Sequence, residues 1–180
     1  MIGKQVTNLL NKQINAEIWS AYLYLSMSLD ATFKNLNGVA NWFRVQWQEE
    51  LEHAKILQEY MNSQDAKVEL QPIKEVPNTW ASVLEMFKDA LEHEMEVTCR
   101  IHEIAMLAQK EYDYATFSRM QWFIDEQVEE EQLCKDLIHL YKMSSDNHAL
   151  QYQLDKDLAK RKYKMSEHLH AEHWISKCSV

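Results

Sequence analysis

Along most of this chain, apolar residues recur at alternating steps of four and three, the spacing that gathers them on one face of a helix. The pattern runs over residues 6–31 and pauses at Asn35-Leu36-Asn37-Gly38, which reads as a turn. It resumes over 39–61, then breaks into an irregular stretch, 62–78, that holds both prolines, Pro72 and Pro77. Thr79 is the predicted cap of a third helix reaching residue 110, and Asp113 that of a fourth over 114–141. After Ser144-Ser145-Asp146 a shorter fifth segment covers 148–165, and a polar tail follows.

Loop length then sets topology. Short connections make neighbouring helices antiparallel, so the first and second helices form one hairpin and the third and fourth another. Helices of this size are roughly 35–45 Å long, and the 62–78 segment, extended, can run that distance. The expected fold is all-α: a four-helix bundle of two antiparallel hairpins joined by one long crossover, plus a short fifth helix. Residues 1–165 are read as this one domain and 166–180 as a polar, histidine-containing tail. The presence of only two glycines and two prolines agrees, because it leaves little turn chemistry.

Charge and cysteine usage narrow the partners. A net charge of −9 argues against nucleic acid, since nothing would neutralise phosphates at scale. No segment has the apolar length of a membrane span or a signal peptide, so a cytoplasmic protein is expected. Cys99, Cys134 and Cys178 are odd in number and widely spaced; two fall in apolar helical stretches, as reduced packing residues do.

The chemistry lies in the seams that face the bundle core. Each is apolar at its ends and carries a carboxylate near its middle: Glu17, Glu50, Glu94 and Glu130. Glu17 and His53 are equidistant from Asn35 in the first turn, and Glu94 and Glu130 from Tyr112 in the second. Each hairpin therefore brings its polar residues level, halfway along the bundle. Buried carboxylates either take up protons or pair with a cation, and no Lys or Arg occupies the seams near this layer. Glu50 and His53, three apart on one helical face, can reach the same ion. Carboxylates with an imidazole suit iron or manganese rather than a thiolate-type zinc site. A lone Glu-x-x-His would mean little, and Glu167-x-x-His170 in the tail is such a case. Four carboxylates on matching seams are a stronger pattern.

At these residues the chain resembles the ferritins, and the bacterial non-haem ferritins more than the animal ones. The resemblance covers about residues 4–145. It is carried by EIWSAYLYLSMS around Glu17 and Tyr24, WQEELEHAKIL around Glu50 and His53, LEHEMEVT around Glu94, and DYATFSRMQWFIDEQVEEEQL around Gln127 and Glu130. It implies a first iron held by Glu17, Glu50 and His53, and a second by Glu94 and Glu130 with Glu50 bridging. Gln127 would stand beside them. Glu49, Glu126 and Glu129 match a nearby third iron site, and Tyr24 and Trp122 match aromatic residues able to donate an electron. The implied activity is oxidation of Fe(II) by O2 or H2O2, with storage of ferric mineral in a shell of twenty-four subunits.

Departures from related patterns refine this. Helix four reads Gln127-Val128-Glu129-Glu130, not a second Glu-x-x-His, and Leu51 stands where a haem-ligating Met would follow the bridging Glu; no haem is expected. The acidic ring of the animal proteins' three-fold channel falls near Phe117 and Met120, both apolar here. Two other readings of the same residues are a di-iron enzyme acting on an organic substrate and a non-catalytic bundle with protonated or paired glutamates. In the tail, His168, His170 and His173 with Glu167 and Glu172 offer metal-binding side chains on what reads as a solvated segment. The Lys160-Arg161-Lys162-Lys164 run reads as a solvated face.

Overall fold

In the computed structural model, which describes residues 2–166, five helices follow in order: α1 (Lys4–Phe33), α2 (Asn37–Ser63), α3 (Val83–Lys110), α4 (Tyr114–Met143) and α5 (His148–Leu158). No strand occurs among the described residues. α1 packs along α2 and α3 along α4, giving the two expected hairpins, and α5 lies across α2. α1 runs antiparallel to α3: Ser20 meets His93, while Gly3 lies against Glu111.

The hairpin turns close alike. Asn35 (φ 60°) and Tyr112 (φ 59°) both sit in the left-handed region. The amide after each reaches back five residues, Leu36 N to Ala31 O at 2.9 Å and Asp113 N to Ala108 O at 2.8 Å. This closure satisfies carbonyls that the helix end leaves open. Asp113 caps α4 as predicted, its carboxylate accepting from Thr116 N at 3.0 Å.

Three boundaries differ from the sequence reading. Asn37 and Gly38 belong to α2 rather than to the turn. No side chain of the first hairpin caps α2; Asp155 of α5 does so instead, its Oδ1 accepting from Gly38 N and Val39 N, both at 2.9 Å. Gly38 is required for that approach, since a Cβ there would fall 1.6 Å from the Asp155 carbonyl oxygen. α3 starts three residues later than expected, with Ser82 as its cap, accepting from Glu85 N at 3.2 Å. Thr79 lies in the crossover, where the next residue, the buried Trp80, is tied to Asp30 through its amide at 3.0 Å. α5 ends at Leu158, not near 165. The Asn41 side-chain Nδ2 donates to Leu158 O (3.1 Å) and Arg161 O (2.9 Å), so those carbonyls are satisfied outside a helix. Residues 161–166 continue as an irregular arm against α2.

Two apolar clusters fill the bundle. One gathers Tyr24, Met27, Phe43, Phe87 and Tyr141, the other Leu10, Ile14, Leu57, Ile101 and Phe123. Each fully buried Phe or Leu contributes about 2–3 kcal/mol, enough to carry a costly polar layer between the clusters. Cys134 is a buried packing residue; Cys99, expected to be one too, is exposed on α3 because it lies off the seam. Met120 is buried in the core, so it faces no channel. Cys178 and the tail groups Glu167, His168, His170, Glu172 and His173 lie outside the described residues.

Candidate metal centre

Helical spacing aims one polar side chain per seam into the layer between the clusters. Glu17, Glu50, Glu94 and Glu130 are all buried, as is His53. Each of α1 to α4 contributes at least one of them, so the layer draws on both hairpins at one height.

The first hairpin presents an open set of donor atoms. One ligand atom from each of Glu17, Glu50 and His53 lies within 4.8 Å of the others. His53 Nδ1 stands 3.8 Å from Glu50 Oε2. Gln13 Nε2 donates to Glu17 Oε1 at 2.8 Å, while the buried Glu17 Oε2 meets no donor.

The second hairpin's carboxylates are engaged by neutral donors. The Tyr24 hydroxyl donates to Glu94 Oε1. Gln127 Nε2 donates to Glu94 Oε2 at 3.0 Å and to the Glu94 carbonyl at 3.1 Å. Gln46 Nε2 donates to Glu130 Oε2 at 2.8 Å. Gln13 and Gln46 are polar residues on the same buried faces as Glu17 and Glu50. Their partnership with the glutamates depends on rotamer and height, which sequence spacing alone does not give.

Burial pushes the Glu17 carboxyl up to about 8, with the Glu50 charge adding to the shift. Burial, then the Glu94 charge, pushes Glu130 up to about 7. Glu50 and Glu94 are raised as well, chiefly by burial, and Glu50 also faces Glu94 and Glu130. Four such groups cannot all ionise in one dry layer without a cation. The unpaired Glu17 oxygen, the imidazole and the all-oxygen remainder of the donor set fit iron or manganese.

Around this layer the predicted neighbours take varied places. Tyr24 is fully buried and touches Glu94 directly. Trp122 is half-buried, its ring edge-on to His53 at 5.6 Å between centroids. Glu49 is half-buried and acts electrostatically on Glu130 and Glu126, while Glu129 is exposed. Burial pushes Glu49 up to about 7, and Arg161 opposes that shift. Arg161 Nη2 lies 2.7 Å from Glu49 Oε2, and its guanidinium stacks 4.8 Å above the Trp42 ring. The basic run around it is therefore not wholly a solvated face: Arg161 turns inward because the arm runs along α2.

Fold and layer together define a class, the four-helix bundles that build a carboxylate site in their core from facing helices. Comparison with known proteins narrows it. The model of the ferritin-like domain family matches residues 7–144, and this chain belongs to the ferritin family. It is 35% identical to the bacterial non-heme ferritin of Staphylococcus aureus over 164 residues, 91% of this chain and 98% of that protein. The corresponding protein of Staphylococcus saprophyticus is 35% identical over 168 residues, covering 93% of this chain and all of that one. Among solved structures, an open pore ferritin from the hyperthermophilic archaeon Archaeoglobus fulgidus superposes with a TM-score of 0.89 at 41% identity, covering 90% of this chain and 100% of that chain. No helix among the described residues is long and apolar enough to cross a membrane.

Proposed function

We propose that this chain is an iron-storage subunit that oxidises Fe(II) at a two-iron centre in its own bundle and passes the product into the cavity of a cytoplasmic, twenty-four-subunit shell. The observation that carries the reading is the unpaired Glu17 oxygen in a buried layer of four carboxylates and His53. Glu17, Glu50 and His53 hold the first Fe(II). Glu94 and Glu130, with Glu50 bridging, hold the second.

Oxidation is favoured because clustered carboxylate charge stabilises Fe(III) more than Fe(II). Each ion gives one electron, and O2 or H2O2 accepts the pair. Gln127 keeps Glu94 aimed into the layer, and Tyr24 and Trp122 are the oxidisable side chains in contact with ligand residues. Glu49 on α2 and Glu126 and Glu129 on α4 match a third iron position in the resemblance, but here Arg161 is already paired with Glu49. Assembly is supported by apolar residues left exposed on α1 and the crossover, among them Leu29, Phe33 and Leu70.

The test is Fe(II) oxidation in air, followed near the ultraviolet ferric absorption, with light scattering on the same samples. The native protein should take up about two irons per subunit quickly, in a particle of about half a megadalton. Glu94→Ala should assemble normally and lose the fast phase. A small oligomer that oxidises iron no faster than buffer would sink the reading in favour of an organic substrate or a purely structural bundle.

A further inference from the structure

We propose that Arg161 is the resident counter-cation of Glu49, and that the arm after α5 thereby closes the α2–α4 side of the carboxylate layer to an additional metal ion. The inference rests on the metal-centre reading above.

The arm is anchored at three levels along one face of α2. At the first, Asn41 donates to the carbonyls of Leu158 and Arg161 at 3.1 and 2.9 Å. At the second, the Arg161 guanidinium bridges from the Trp42 ring and carbonyl to the Glu49 carboxylate, 2.7 Å away. At the third, the Tyr163 hydroxyl and the Ser166 amide both donate to Glu52, itself buried at 5% exposure. Positions 41, 42, 49 and 52 recur at helical spacing, so the arm follows α2 rather than crossing it.

Glu49 sits beside Glu50 in the chain and acts electrostatically on Glu130 and Glu126. It therefore belongs to a group of carboxyls whose ionised forms a nearby cation stabilises, and Arg161 is such a cation at 2.7 Å. The Arg161 and Glu49 side chains are each about four-fifths covered, 21% and 22% exposed, so solvent screens their attraction only in part. The charge of Arg161 also acts on Glu130 within the layer. An ion settling on Glu49 must either displace the guanidinium, leaving a partly buried positive charge unpaired, or sit beside it against like-charge repulsion. Arg suits this role better than Lys, because its planar group stacks on Trp42 while it pairs with a carboxylate.

The experiment is an oxygen-free calorimetric titration of the assembled, metal-free protein with Fe(II), for the native chain, Arg161→Gln, Glu49→Gln/Arg161→Gln and Glu94→Ala, with particle size and helical content checked alongside. Expected is about two tightly bound Fe(II) per native subunit, about one more in Arg161→Gln, and a return to the native number in the double variant. A native protein that already binds about three, or an Arg161→Gln protein that gains none, overturns the proposal while leaving the centre intact. If native binding is absent, or is not reduced by Glu94→Ala, it is the metal-centre reading that fails, and with it this one.

Discussion

The two hairpins supply the same chemistry to the central layer in different states of readiness. In the first, Glu17, Glu50 and His53 already converge, and one Glu17 oxygen has no partner. In the second, Glu94 and Glu130 are held by Tyr24 and Gln46, donors that an incoming ion must turn aside, while Gln127 holds the other Glu94 oxygen and aims the side chain. Each neutral hydrogen bond is worth about 1 kcal/mol net, so exchanging one or two of them separates the two metal positions by roughly a factor of ten in affinity. The first ion should find a preformed site, and the second should assemble its own. The hairpins also differ in their turns: the left-handed residue is Asn35 in one and Tyr112 in the other.

The largest effect should come from Glu50→Ala, because Glu50 faces residues of both hairpins. It should abolish the distinction by removing both ions, and stopped-flow Fe(II) oxidation should slow by more than the roughly 100-fold that changes outside the ligand shell cost. If one equivalent of Fe(II) were still oxidised at the native rate, Glu50 would serve only one hairpin.

Next is the pH dependence of the metal-free protein. Glu17 holds its proton up to about pH 8 when folded, against an ordinary value of 4.5. Between those values the folded state binds more protons, so stability falls as pH rises and levels off above about 8. Glu17 alone should account for about 3 kcal/mol between pH 5 and 8. Melting curves across that range should show the midpoint dropping, and saturating Zn(II) should remove or reverse the trend. A midpoint that climbs with pH in the metal-free protein contradicts the buried carboxyls described here.

Gln127→Leu should affect the second hairpin only. Without the amide that aims Glu94, the second equivalent of Fe(II) should bind about 10-fold more weakly and the first unchanged. Calorimetry resolving the two equivalents decides this; equal weakening of both would mean the hairpins do not bind separately.

The smallest effect concerns the turns. Tyr112 is an exposed, bulky residue with φ of 59°, whereas Asn35 tolerates that region well. Tyr112→Asn should therefore stabilise the subunit by about 0.5–1 kcal/mol, read as a higher denaturant midpoint with no change in iron oxidation.

Helical periodicity and the scarcity of breakers determined the four long helices, the hairpin pairing and the crossover, because each depends on spacing and loop length within one stretch of chain. The polar seam residues were legible for the same reason: Glu17, Glu50, His53, Glu94, Gln127 and Glu130 stand on seams that each turn levels within its own hairpin, whereas contacts such as Gln46 to Glu130 bring the two hairpins to one height. What tertiary structure alone decided involves partners far apart in sequence. Asp155 caps α2 from more than a hundred residues away, Gly38 is there to let α5 approach, and Arg161 leaves a basic run to pair with Glu49. No local pattern marks such contacts, since each is set by where the end of α4 happens to deliver α5. The readiness of the two hairpins was equally hidden, because whether a glutamine or a tyrosine reaches a given carboxylate depends on packing across helices, not on position along one.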